Sequence, residues 1–130
     1  MSAIDDLLAT ARTGWTRLTP HEARDAWAAG ALLIDTRTPW QRDAQGELPG
    51  AVIIDRTVLE WRLDPSSEWG IPEARTGARV VIACRQGFSS SLAAHSLRDL
   101  GIEATDIVGG VEAWIAEGLP VHRDPVDERR

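Results

Sequence analysis

The chain has 130 residues, a net charge of −6 and 43% hydrophobic residues, the dimensions of one soluble domain with a single core. No apolar run reaches the roughly 20 residues that span a bilayer, and the acidic start Met1-Ser2-Ala3-Ile4-Asp5-Asp6 lacks the basic opening of a secretory signal. The negative charge argues against general nucleic-acid binding, and a single cysteine allows no internal disulfide, which fits a reducing cytoplasm.

Helix and strand signals alternate along the chain. Residues 3–12 read as a short helix in an N-terminal arm, 1–14. Thr19-Pro20-His21-Glu22 is a strong helix start: Thr19 caps, Pro20 takes the first position and Glu22 completes a capping box. That helix runs to Ala29 and stops at Gly30. Ala31–Asp35 reads as a buried strand, Pro39 and Trp40 open a short helical turn, and Ala51–Ile54 forms a second strand after Pro49-Gly50. Thr57 is the expected cap of a helix through Leu63. Asp64 to Gly77, with two prolines and two glycines, reads as a long loop. Val80–Ala83 is a third apolar strand, followed by a helix that Gly101 ends. Thr105–Val108 is the last expected strand and Val111–Glu117 the last helix, closed by Gly118-Leu119-Pro120. The main domain spans 15–122, and 123–130 is expected to be a loose charged tail. Such alternation implies a mainly parallel sheet with helices on both faces, and ligands in these sheets bind beyond the carboxyl ends of the strands.

Cys84 occupies such an end. It follows Val80-Val81-Ile82-Ala83 and precedes Arg85-Gln86-Gly87-Phe88-Ser89-Ser90-Ser91, a loop that opens into a helix. A lone cysteine is usually a small buried hydrophobe. A core cysteine, however, belongs inside a strand rather than at its end before a glycine-containing loop. Facing a helix N-terminus, this thiol meets converging backbone N–H groups and the positive end of the helix dipole, surroundings that favour thiolate. Ser89, Ser90 or Ser91 is the expected helix cap.

Four segments in order carry a resemblance. Leu33-Ile34-Asp35-Thr36-Arg37, Gly46-Glu47-Leu48-Pro49-Gly50-Ala51, Cys84-Arg85-Gln86-Gly87-Phe88-Ser89-Ser90 and Val108-Gly109-Gly110 through Trp114 to Val121 resemble the successive signatures of single-domain rhodaneses, the thiosulfate sulfurtransferase-like family. The resemblance covers roughly Trp15 to Val121. It implies an α/β fold with a five-stranded, mainly parallel sheet flanked by helices on both faces. It also implies transfer of a sulfane sulfur through a cysteine persulfide, without a cofactor or metal. Two positions depart from the family pattern. Glu47 replaces a histidine in a structural turn. Ser89 stands where many members carry arginine, so one charge that would hold thiosulfate is missing.

On this reading Cys84 is the nucleophile, and backbone N–H groups from Arg85 to Ser90 stabilise the anionic intermediate. Gly87 permits the loop's turn. The Ser89 and Ser90 hydroxyls are candidate further donors, Ser90 equally a simple cap, and Arg85 stands at the rim to hold an anionic donor. Gln86 and Phe88 complete the loop. The resemblance also places Trp61 and Arg62, with Trp69, at the mouth of the site. Trp27 and Trp114 are expected in the core.

The expected partners are a small sulfur donor (thiosulfate or a persulfide) and a thiol or cyanide-like acceptor, with a sulfur-carrier protein or desulfurase as further possibilities. No nucleic acid or membrane is expected. Two rival classes are a cysteine-dependent phosphatase and a non-catalytic rhodanese-like module for protein interaction or sulfur carriage. The phosphatase needs an arginine six residues after its cysteine, where this chain has Ser90. The module commonly lacks the cysteine. None of His21, His95 and His122 lies beside Cys84 in sequence, so a Cys–His dyad has no support.

Overall fold

The computed structural model describes residues 2–130; Met1, the first residue of the expected arm, lies outside them. Five strands pair in parallel in the order β4-β3-β1-β2-β5. They are β1 (Leu32–Asp35), β2 (Val52–Ile53), β3 (Arg79–Ala83), β4 (Glu103–Asp106) and β5 (Asp127–Glu128). In the centre of the sheet Ile34 of β1 lies opposite Val52 on one side and Ile82 on the other. Helices α1 (Ala3–Ala11), α2 (Pro20–Ala28), α3 (Pro39–Gln45), α4 (Leu59–Leu63), α5 (Ser89–Asp99) and α6 (Gly110–Ala116) complete the chain.

Strand periodicity explains the two-sided core. Successive residues point to opposite faces, so Ile34, Val80 and Ile82 bury against α4 and α5, with Leu59, Leu63, Ala93 and Leu97. Leu33, Val81 and Ala83 bury on the other face with Ala23 and Ala26 of α2 and Val111 and Trp114 of α6. The expected α/β sheet flanked on both faces is therefore the observed one. The arm helix α1 is capped by a Ser2–Asp5 capping box and lays Leu8 and Ala11 inward against α5.

Several local expectations are corrected. The segment 123–130 is not a loose tail: Val52 and Ile53 pair with Asp127 and Glu128, and the Arg129 amide donates to the Ile53 carbonyl at 2.9 Å. The Arg129 guanidinium holds the strand down by binding Glu73 at 2.6 Å and Asp127 at 2.6 Å. Asp55, not Thr57, caps the stretch before α4, accepting the Thr57 amide at 2.8 Å. The last apolar strand lies two residues earlier than expected, because Ile107 leaves β4 to bridge Leu18. No serine side chain caps α5; its N-cap is Phe88, without a side-chain hydrogen bond. Trp114 is core at 2% exposure, whereas Trp27 is 40% exposed and lies against Gly50 instead.

Candidate active site

Strand β3 ends at Ala83 and delivers Cys84 to the carboxyl edge of the sheet, where α5 begins five residues later. Between them the chain curls so that two backbone N–H groups point at the thiol. The Gly87 amide donates to the Cys84 Sγ at 3.1 Å and the Ser90 amide at 3.4 Å. Cys84 is 5% exposed. Gly87 has φ +84°, and a Cβ there would stand 2.8 Å from the Gly109 nitrogen and 2.9 Å from the Ile107 carbonyl oxygen. The curl therefore needs glycine both for its dihedral and for the close approach of the Gly109-Gly110 segment.

That segment supports the loop from below. The first N–H groups of a helix have no intrahelical partner. In α6 the Val111 amide donates to the Cys84 carbonyl at 2.9 Å and the Glu112 amide to the Arg85 carbonyl at 3.0 Å. The loop and the helix thus satisfy each other's backbone groups.

A buried ionic cluster lies on the remaining side. Asp106, fully buried at the end of β4, accepts the Arg17 guanidinium at 2.7 and 3.1 Å and the Ser90 and Ser91 hydroxyls at 2.7 Å each. Arg12, at the end of α1, donates to the Gly87 carbonyl at 2.8 Å and to the Ser91 hydroxyl at 2.9 Å. Arg17 donates to the same Gly87 carbonyl at 2.8 Å. Burial, with Arg17's like charge second, lowers the pKa of the Arg12 guanidinium, while the opposite charges of Asp106 and Cys84 pull it back up.

The cleft beside Cys84 has a volume of about 210 Å³ and is lined by Arg85, Gln86, Phe88 and Ser89 of the loop and by Thr36 and Gln41 across from them. Of the residues expected from sequence, Cys84, Arg85, Gln86, Phe88 and Ser89 meet in this cleft, and Gly87 and Ser90 hold the sulfur from behind through their amides. Gln86 also donates to Glu112 at 3.2 Å. The Ser90 hydroxyl is committed to Asp106 and does not point at the sulfur. Trp61 and Arg62 are not part of the cleft lining: Trp61 is 57% exposed, and the Arg62 guanidinium binds the Trp69 carbonyl at 3.0 Å and the Arg130 carbonyl. Arg62 instead links α4 to the long loop and the chain end.

Sequence reasoning missed Thr36, Gln41, Arg12, Arg17 and Asp106. Thr36 was within reach of the strand-end rule, since it follows β1, the neighbour of β3, and is tied to the Ala83 carbonyl by its hydroxyl at 2.9 Å. The arginines are 75 and 70 residues from Gly87 in sequence and carried no local signal.

Comparison with known proteins agrees with this architecture. The rhodanese-like domain model matches residues 19–117. The chain belongs to the rhodanese-like domain family. A chloroplast thiosulfate sulfurtransferase of Arabidopsis thaliana is 31% identical over 108 residues, covering 75% of this chain and 85% of that protein. A maize adenylyltransferase and sulfurtransferase is 40% identical over 84 residues, 64% of this chain; the match spans only 18% of the maize protein. A solved structure from Rhodopseudomonas palustris, described as a possible tyrosine phosphatase, superposes with a TM-score of 0.83 at 29% identity, covering 93% of this chain and 95% of the other. Among the described residues no helix is long and apolar enough to cross a membrane, and no cluster of metal-binding side chains occurs.

Proposed function

We propose that this rhodanese-like domain is a sulfurtransferase that carries a sulfane sulfur on Cys84. The observation that carries the reading is the pair of backbone amides, from Gly87 and Ser90, directed at the Cys84 Sγ beside an open cleft. Such a cradle favours an anionic sulfur before and after it is loaded, and needs no titrating base.

In the proposed cycle the Cys84 thiolate attacks the outer sulfur of a donor entering between Thr36 and Arg85. A new S–S bond forms to Cys84, and the donor's S–S bond breaks. Its electron pair leaves with sulfite when the donor is thiosulfate, or with a thiolate when it is a persulfide. An acceptor nucleophile, a thiol or cyanide, then takes the terminal sulfur, and the bonding pair returns to Cys84 as thiolate. With no second cysteine in the chain, release depends on an external acceptor. A sulfur-carrier protein or a desulfurase is a further proposed exchange partner, beside relatives whose names include sulfurtransferase.

A phosphatase reading, prompted by the description of the R. palustris protein, finds no guanidinium where phosphate would need one. The sixth residue after Cys84 is Ser90, and its hydroxyl serves Asp106. Intact-mass measurement after incubation with thiosulfate, and separately with glutathione persulfide, tests the proposal. The expected result is gain of one sulfur atom, removed by cyanide and lost in Cys84→Ser. A parent protein that gains no sulfur from either donor, or a folded Cys84→Ser variant that turns over, would sink it.

A further inference from the structure

We propose that Arg12 and Arg17, reaching in from outside the matched family segment, are positioning residues that hold the sulfur cradle in its anion-accepting shape. The inference rests on the persulfide reading above and adds to it a role for the N-terminal arm. Both arginines precede residue 19, where the family match begins.

Both amides on the sulfur belong to residues anchored at a second point by this cluster. Ser90 gives its N–H to the Cys84 Sγ and its hydroxyl to Asp106. Gly87 gives its N–H to the Sγ, while its carbonyl takes one guanidinium hydrogen bond from Arg12 and one from Arg17, each at 2.8 Å. Glycine at φ +84° is the most conformationally permissive residue of the loop. Two charged donors on its carbonyl remove that freedom and keep the carbonyl's negative end turned from the sulfur.

The charges act in the same sense. Two guanidiniums against one carboxylate leave the cluster with one net positive charge behind the loop. Neither arginine lines the cleft, so neither is placed to contact the donor.

The test compares the parent with Arg12→Gln and Arg12→Lys, each checked for folding by circular dichroism. Two readouts are used: the rate of Cys84 alkylation by iodoacetamide at neutral pH, and sulfur transfer resolved into kcat and KM. Loss of charge-assisted hydrogen bonds predicts alkylation and kcat both about tenfold lower in Arg12→Gln, with KM for the donor nearly unchanged. Arg12→Lys keeps the charge but not the two-pronged geometry, and should recover part of the loss.

A folded Arg12→Gln variant with parental alkylation and kcat would overturn the proposal. So would a loss confined to KM, which would make Arg12 a donor-binding residue. If Arg12→Gln does not fold, the alkylation rate of Arg12→Lys decides: a parental rate rejects the role, and an intermediate one supports it. A parent that transfers no sulfur would defeat the persulfide reading, whereas the alkylation ratio would still judge the arginine.

Discussion

The Asp106 carboxylate and the Arg17 guanidinium meet at 2.7 and 3.1 Å, with the Asp106 side chain fully buried and that of Arg17 17% exposed. A carboxylate so placed is compensated only because the guanidinium and two serine hydroxyls fill its acceptor sites.

Asp106→Asn keeps the shape and removes the charge. Arg17 would then lose its counterion, and one amide oxygen would have to serve a guanidinium and two hydroxyls. The expected loss of stability is about 3 kcal/mol, read as a lower urea midpoint at unchanged slope. A loss below about 0.5 kcal/mol would put the pair in the class of solvent-screened surface contacts.

Gly110 presses directly on the Cys84 backbone. It has φ +62°, and a Cβ there would lie 2.5 Å from the Cys84 carbonyl oxygen and 2.7 Å from the Arg85 carbonyl carbon. Gly118 has φ +78° and open space around it. Comparison of the two alanine variants separates dihedral strain from collision. Gly118→Ala should cost about 1 kcal/mol and leave sulfur transfer intact, the strain of a left-handed residue alone. Gly110→Ala should melt lower still and lose most of its transfer rate. Equal activity in both variants would refute the idea that α6 supports the loop.

The C-terminal strand should be acid-labile. Hydrogen bonds from Arg129 hold the Glu73 and Asp127 carboxyls below their ordinary values of 4.5 and 3.8. Folded-state values lowered in this way mean that the clamp contributes fully above the ordinary values and is lost as pH falls through the lowered ones. Each pair is partly exposed, so screening limits it to about 0.5 kcal/mol, enough to release a two-residue strand but not the core. In an NMR titration the Arg129 amide, which bonds to Ile53, should move toward its unstructured shift only once pH has fallen below the ordinary carboxyl values, while Val81 in β3 keeps its native shift. Simultaneous loss of both signals would contradict a separately clamped tail.

Much of the fold was legible because its strands are short apolar runs bounded by turn residues. Leu32–Asp35 and Arg79–Ala83 lie within a residue of the expected spans, and the capping box expected from Thr19 and Glu22 opens α2. The fifth strand was not legible: Asp127–Glu128 has no apolar residue, and a charge clamp 56 residues away in sequence determines its pairing. The sulfur cradle could be read from Cys84 and Gly87, since strand end, glycine and helix start are all local. The serines misled because hydroxyls at a helix start suggest caps, whereas a buried carboxylate from another strand competes for Ser90 and Ser91. That competition appears only when β4 is packed beside β3.

On the proposed sulfurtransferase reading, the charges around the cleft predict a donor preference. With Ser89 neutral and Arg62 engaged by the Trp69 and Arg130 carbonyls, Arg85 is the one cationic side chain lining the cleft among the described residues. Its carbonyl is fixed by the Glu112 amide, which keeps the residue at the rim, and Gln86 brings the Glu112 carboxylate close by. A dianion such as thiosulfate should therefore be held weakly, through Arg85 and backbone amides, and a less charged persulfide should be used better. Arg85→Ala removes a charge-assisted contact of about 1.5–3 kcal/mol, so KM for thiosulfate should rise tenfold or more. Efficiency with glutathione persulfide should fall less, because that donor does not depend on a clamped dianion. Steady-state kinetics with both donors checks this: parental efficiency with thiosulfate in the variant would make Arg85 a bystander, and an equal loss with both donors would place it in general cleft shape rather than anion binding.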